Sequence, residues 1–428
     1  MAVQRWCWIV YVAVCSCSSQ RYLTIAVHQA EKDFKDHIGF VLYDPGQQKL
    51  MYNHQGDRYF TPASNTKIFT LFASLQLLGD SVPALRYVQR NDSLIFWGTG
   101  DPGFLYENTS RENRVYDFLK TTSLNLFFSS SNFQTEYFGP GWSWDDYNES
   151  YQVEKTSFPM YGNRVRVKRT GTAFMSRPDV FSYTISDSVK NERSTITRGI
   201  DSNVLTFRPG KTNRPTEWNI PFHSSDELFV KLLTDTLRKE VQLTRTTLPP
   251  DAKTLYSAVP DSLYTVMMQA SDNFIAEQLL LLCANVVSDT LKPEIAIRYV
   301  KKKFLFDLPD EPVWLDGSGL SRYNLFTPRS LVRLWEKIYA LVPRERLFQL
   351  LAVGGKSGTL RSYYKGDQTP YIFGKTGFLS NNYTLSGYLI TKRGRTLIFS
   401  WMNNNFMGSA GEVRARMEII LKRIYEKN

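Results

Sequence analysis

Ser64 and Lys67, in the run Ser64-Asn65-Thr66-Lys67, stand three residues apart. On a helix that spacing puts both side chains on one face, almost one turn apart. A serine hydroxyl attacks poorly until a base takes its proton, and a neutral lysine can be that base. Two further groups follow in order along the chain, Ser271-Asp272-Asn273 and Lys375-Thr376-Gly377. They add a relay hydroxyl, a substrate-holding amide, and a cation with a hydroxyl that suits a substrate carboxylate. The chemistry this set could do is acyl transfer through a covalent serine intermediate.

Each motif alone is weak. A second S-x-x-K occurs at Ser362-Tyr363-Tyr364-Lys365, other S-x-N triplets at Ser130-Ser131-Asn132 and Ser380-Asn381-Asn382, and Lys356-Ser357-Gly358 imitates K-T-G. Context separates them. Thr61-Pro62-Ala63 precedes Ser64, and Ile68, Phe69, Leu71, Phe72 and Leu75 follow, which reads as a helix start and a buried helix. Ser362 sits among loop residues. Lys375 leads into Asn382 to Thr391 and Thr396 to Trp401, joined by Lys392-Arg393-Gly394-Arg395, a strand–turn–strand pattern that Lys356 lacks.

The expected roles follow from the residue types. Ser64 is the nucleophile, and its amide, at a helix start, offers half of an oxyanion hole. Lys67 is the base, its pKa lowered by burial and by the like charge of Lys375. Ser271 relays the proton to the leaving amine, and Asn273 holds the substrate amide and the Lys67 side chain. Asp272 receives no role, and Glu277 reads as a structural group rather than a catalyst. Lys375 and Thr376 meet a carboxylate at a strand edge, Gly377 lets a ligand come close, and the Phe378 amide is the second oxyanion donor. The four histidines, His28, His37, His54 and His223, show no metal-ligand spacing in the sequence. No G-x-S-x-G elbow occurs, and Leu350 stands where a phosphate loop ending at Gly355-Lys356-Ser357 needs glycine. No cofactor and no metal are expected.

The elements that must position these groups come from 428 residues, 42% apolar and 14% aromatic, ample for a core and for two to three domains. The net charge of +11 fits a solvated basic surface, or attraction to an anionic polymer or membrane face. No zinc-type spacing or RNA-binding pattern points to nucleic acid. Arg5, the apolar run Trp6 to Val14 and the polar exit Cys15-Ser16-Cys17-Ser18-Ser19-Gln20 read as an export signal, too short to span a membrane. Residues 1–17 are therefore expected to be a signal peptide. Cys17 is the candidate for lipid attachment, with simple cleavage the alternative. Three cysteines lie in that segment, and Cys283, in an apolar run, reads as a core thiol, so the body has no disulfide framework.

Thr24 to Phe34 reads as a helix, Ile38 to Asp44 and Lys49 to Asn53 as strands joined by Asp44-Pro45-Gly46-Gln47. Asp261 to Val287 reads as helical on both sides of Ser271, and Val413, Met417, Ile420 and Ile424 mark a closing helix. Between them, short alternating stretches rich in Gly, Pro and aromatics read as mostly β. The expected fold is α/β of the α+β type. One domain is built from both chain ends (residues 18–93 and 250–428), with a mostly β insertion at 94–249.

The ordered trio is the pattern of class A β-lactamases and penicillin-binding proteins. More closely, the chain resembles the DacB-type class C low-molecular-mass penicillin-binding proteins, the D-alanyl-D-alanine carboxypeptidase/endopeptidase family. Beyond the trio, the likeness is carried by Gly98-Thr99-Gly100-Asp101-Pro102, Gly139-Pro140-Gly141-Trp142-Ser143-Trp144-Asp145-Asp146-Tyr147, Asp316-Gly317-Ser318-Gly319-Leu320-Ser321-Arg322, Gly358-Thr359-Leu360 and the long interval between Ser64 and Ser271. The resemblance implies a serine β-lactamase/transpeptidase-like domain and an acyl-enzyme at Ser64. The substrates are peptidoglycan stem peptides: terminal D-alanine is released, or a D-alanyl cross-link is cut. β-Lactams are implied as inhibitors that acylate Ser64, and the location is the periplasm or cell envelope. Two features depart from the family: Phe378 stands where a small hydroxyl residue is frequent, and the insertion is somewhat short. Two other functions compete, a β-lactamase-like hydrolase and a non-catalytic wall-binding or penicillin-sensing protein.

Overall fold

The computed structural model describes residues 20–109, 114–171, 173–186, 192–211, 216–257 and 260–428, so the leader and Cys17 lie outside the described residues. A six-stranded antiparallel sheet forms the centre. Its order is Ala352–Val353, Ile372–Leu379, Asn382–Ile390, Thr396–Asn404, His37–Asp44 and Lys49–His54. Strands from the two chain ends meet where His37–Asp44 pairs with Thr396–Asn404, and the facing Phe40 and Trp401 rings stack at 4.4 Å. The central strands are buried on both faces, and their buried polar residues, such as Thr384, Ser386 and Asn404, hydrogen-bond neighbouring elements.

Helices cover both faces. On one side the helix at 20–34 and the helix Ala410–Lys427 pack through Leu23, Val27, Val413, Ile420 and Ile424. The latter helix opens with a capping box between Ser409 and Glu412. On the other side lie the helices Lys67–Leu77, Asn273–Ser288 and Pro328–Leu341, joined through Phe69, Phe72, Leu279, Cys283 and Trp335. Cys283 is a buried core thiol. Burial pushes its pKa up to about 12.

The insertion has its own core. A five-stranded sheet runs Val241–Leu243, Asn125–Ser129, Ser93–Gly98, Pro83–Arg90 and Lys253–Tyr256, and two three-stranded sheets accompany it. The helices Arg114–Thr121 and Asp226–Leu237 belong to this part of the chain. Pro83–Arg90 and Lys253–Tyr256 pair with each other, so the inserted sheet draws strands from outside residues 94–249. The class is mixed α+β. Among the described residues, no helix is long and apolar enough to cross a membrane.

Candidate active site

Ser64 lies in a 3₁₀ turn, Ala63–Thr66, that runs into the helix Lys67–Leu77. Asn65, between the two motif residues, pins this turn to the sheet. Its Nδ2 donates to the Lys375 carbonyl (3.1 Å) and Thr384 Oγ1 (2.7 Å), and its Oδ1 accepts from Ser386 Oγ. The turn thereby sits against the strand that carries Lys375. At Gly377 a Cβ would lie 2.7 Å from the Pro62 carbonyl and 3.0 Å from the Ser64 amide nitrogen. Glycine is required there for close packing of two backbones, a tighter constraint than ligand access alone.

Lys67 is fully buried, and its Nζ donates to Ser64 Oγ (3.0 Å), Asn273 Oδ1 (2.6 Å) and the Ser318 carbonyl (2.7 Å). An ammonium has three donors, and all three are used. Burial lowers the Lys67 pKa to about 8, opposed by Asp316, Glu277 and Asp272. The like-charge effect expected on Lys67 falls on Lys375 instead. Lys375 is buried, and burial followed by the charge of Lys67 holds its pKa well below the usual lysine value. Lys375 Nζ donates to Ser271 Oγ (2.7 Å) and the Thr376 carbonyl (2.8 Å).

Ser271 does not sit in a helix. A short helix, Asp261–Thr265, widens into a π turn at Val266–Ala270, and Ser271 follows with φ 61° in the left-handed region. The chain reverses there and re-enters helix at Asn273. A wide turn and a left-handed non-glycine residue both cost free energy and cluster at functional sites. Asp272, unassigned from sequence, is the N-cap of the second helix: its Oδ1 accepts from the Ile275 amide (3.0 Å). Its other oxygen accepts from Tyr106 of the insertion.

From sequence, Asp316-Gly317-Ser318-Gly319 carries a family likeness but no role of its own. In the fold this loop backs the lysine through the Ser318 carbonyl. The Asp316 carboxylate accepts from Gly319 N (2.9 Å), Ser321 N (2.7 Å), Asn324 Nδ2 (2.7 Å) and Trp142 Nε1 (3.0 Å). Glu277, also buried, accepts from Ser318 N (2.7 Å) through one oxygen, and its other oxygen has no partner. Burial and neighbouring Asp316 push its pKa up to about 7. The insertion reaches the site a third time where Asn273 Nδ2 donates to the Tyr151 carbonyl (2.9 Å).

The chain thus brings Ser64, Lys67, Ser271, Asn273, Lys375, Thr376 and Gly377 into one cluster, with exposed Phe378 beside it. Thr376 Oγ1 donates to Thr359 Oγ1 (2.7 Å), a partner that sequence reasoning missed. The second S-x-x-K stays apart: Ser362 and Lys365 are both exposed on the surface.

The profile of the D-Ala-D-Ala carboxypeptidase 3 (S13) family matches residues 23–424. The chain belongs to that family. It is therefore placed among the serine D-Ala-D-Ala carboxypeptidases, hydrolases of the peptidase class. A D-alanyl-D-alanine carboxypeptidase DacB from Haemophilus influenzae is 22% identical over 443 aligned positions, covering 89% of this chain and 87% of the relative. Among solved structures, penicillin binding protein 4 (dacB) from Haemophilus influenzae matches with a TM-score of 0.76 at 19% identity, over 93% of this chain and 98% of that one. Bd3459, a predatory peptidoglycan endopeptidase from Bdellovibrio bacteriovorus, matches with a TM-score of 0.53 at 13% identity, over 92% and 93%. At these identities the structural likeness is one of fold.

Proposed function

We propose that this protein hydrolyses D-Ala-D-Ala bonds of peptidoglycan stem peptides through an acyl-enzyme on Ser64. The observation that carries the reading is the convergence on Lys67 Nζ of Ser64 Oγ, Asn273 Oδ1 and the Ser318 carbonyl, with Lys375 on Ser271 beside it. Neutral Lys67 takes the Ser64 proton as Oγ attacks the carbonyl of the penultimate D-alanine. The developing oxyanion is met by the Ser64 and Phe378 amides. Ser271 passes a proton to the departing amine, the C–N bond breaks, and D-alanine leaves. Water then attacks the ester, returning the proton to the lysine–serine pair and freeing Ser64. Lys375 and Thr376 receive the terminal carboxylate of the substrate, and Asn273 holds its amide.

When the leaving amine belongs to a neighbouring stem, the same steps cut a cross-link, which is the endopeptidase form. The fold shared with a peptidoglycan endopeptidase supports that extension. A β-lactam acylates Ser64 by the same attack, but its amine stays tethered to the acyl group, so the adduct persists. Peptidoglycan lies outside the cytoplasmic membrane, so the protein acts in the cell envelope, either freed by cleavage of the leader or held by a lipid on Cys17.

The test is intact mass after exposure to labelled penicillin, wild type against Ser64→Ala, with D-alanine release from a stem pentapeptide measured alongside. A Ser64-dependent adduct with D-alanine release is expected. A folded protein giving neither would overturn the reading in favour of a wall-binding protein, and rapid turnover of penicillin would point to a β-lactamase-like hydrolase.

A further inference from the structure

His28 and His54, unrelated by sequence spacing, come together on the side of the molecule where the helix at 20–34 meets the edge strand Lys49–His54. Glu31 sits between them. His28 Nδ1 lies 3.3 Å from Glu31 Oε2, and His54 Nε2 lies 3.0 Å from Glu31 Oε1. The ligand atoms of all three side chains fall within 4.8 Å of one another. The two imidazole rings are edge to face at 4.9 Å. His28 and Glu31, three apart on a helix, share one face, and the strand end supplies the third group.

We propose that His28, Glu31 and His54 bind one divalent zinc ion, which clasps the first helix to the edge of the central sheet. Two imidazoles and one carboxylate are the donor set that borderline divalent ions such as zinc prefer over calcium or magnesium. Around a tetrahedral zinc, neighbouring ligand atoms are about 3.3 Å apart, given metal–ligand bonds of about 2.0–2.1 Å. Each histidine nitrogen lies near that separation from one Glu31 oxygen, His28 Nδ1 from Oε2 and His54 Nε2 from Oε1, and the three ligand atoms lie within 4.8 Å of one another. The remaining adjustment falls on His28, the more exposed of the two histidines at 55%, and solvent can supply a fourth ligand.

Glu31 is held for the task. Its Oε1 also accepts from the Ile38 amide (3.1 Å) and Gln55 Nε2 (2.8 Å), outer contacts of the kind that fix a ligand's orientation. Gln55 Nε2 lies 3.3 Å from His54 Nε2 as well. His54 Nε2 thus faces the Glu31 carboxylate with Gln55 beside it, an arrangement that a cation seated between imidazole and carboxylate would also satisfy. Among the described residues Glu31 pairs with no lysine or arginine, so no fixed cation competes for it. The described body has no disulfide, since Cys283 is its free cysteine, and a metal clasp would do the same mechanical work of tying the N-terminal helix down.

The experiment uses the untagged mature chain, dialysed against micromolar free zinc and read by elemental analysis. Thermal unfolding is measured with and without zinc. The wild type is compared with His28→Ala and His54→Ala, and penicillin acylation of Ser64 reports that each variant is folded. One zinc per wild-type chain is expected, with at least tenfold weaker retention in both variants. A zinc-dependent rise in melting temperature is expected in the wild type alone. Cobalt in place of zinc should give the intense visible bands of a four-coordinate site. Wild type that retains no zinc, or His28→Ala and His54→Ala that retain as much as wild type, would overturn the proposal.

Discussion

The Ser318 carbonyl accepts a 2.7 Å hydrogen bond from Lys67 Nζ, although 251 residues separate the two. With Ser64 Oγ and Asn273 Oδ1, it makes all three acceptors of this lysine neutral. A carboxylate in contact would hold the lysine as a cation. Neutral dipoles instead satisfy its donors, while burial lowers its pKa to about 8 and more distant acids oppose.

The acylation rate should therefore climb with pH. The reactive form is the neutral amine, so below about pH 8 the rate should fall roughly tenfold per pH unit, and above it level off. Second-order acylation by a fluorescent penicillin between pH 6 and 9 measures this directly. A flat profile would remove Lys67 from the role of base. Lys67→Ala should slow acylation by about 10²–10⁴-fold while leaving the protein able to fold.

Glu277 gives a linked prediction. Its pKa is raised above the unfolded value, to about 7, so the folded state holds a proton that the unfolded chain has lost. The stability it contributes is full below the unfolded pKa and is lost as pH rises through about 7. Glu277→Gln keeps an acceptor for the Ser318 amide and cannot ionise. Relative to wild type it should be more stable at pH 8 than at pH 5, by on the order of 1–3 kcal/mol in urea unfolding. Because Glu277 supports the cationic form of Lys67, the variant's acylation midpoint should also move to lower pH. A midpoint that moves upward would contradict this electrostatic picture.

Much of this site was legible in the chain, and the unread part has a physical cause. Ser64, Lys67, Ser271, Asn273 and Lys375 were visible because the chemistry needs those side chains at fixed short spacings. The roles of Asn65, Asp272 and Thr359 were not, since each acts by pinning backbone or side chains that only tertiary packing brings near. Ser318 works through its carbonyl, which every residue has, so its identity carried no signal. The strands Asn382–Ile390 and Thr396–Asn404 were clear from the strand–turn–strand pattern around Lys392-Arg393-Gly394-Arg395. The break at Ser271 was not, because a π turn and a left-handed residue leave no periodicity to read. His28 and His54 met only through helix-on-sheet packing, beyond the reach of local spacing.

Lys375 should govern carboxylate recognition. Its amine, on Ser271 Oγ at 2.7 Å, is carried by the strand beside Ser64, where an arriving carboxylate would favour its charged form. Lys375→Met should lower turnover, since it also releases Ser271. The informative quantity is the ratio of kcat/KM for a peptide ending in a free carboxylate to that for its amide. That preference should shrink by about tenfold or more, as expected for losing one charge-assisted contact. An unchanged ratio would place carboxylate recognition elsewhere.

Two glycines with nearly equal positive φ separate strain from steric blockage. Gly394 has φ 81°, and a Cβ added there would meet nothing within 4 Å, so Gly394→Ala should cost only the left-handed penalty, about 1–2 kcal/mol. Gly319 has φ 85°, but a Cβ there would lie 1.9 Å from the Ala63 carbonyl and 2.9 Å from Thr66 Oγ1. Those atoms belong to the turn that carries Ser64, so the clash must displace either that turn or the Ser318 carbonyl on Lys67. Gly319→Ala should cost more than about 3 kcal/mol, combining strain with overpacking. The fraction that stays folded should acylate at least tenfold more slowly, because small misplacements of reacting groups are expensive. Thermal unfolding and acylation rate per folded molecule distinguish the outcomes. Equal costs for the two substitutions would mean that the loop at Gly319 yields freely and does not hold the lysine in place.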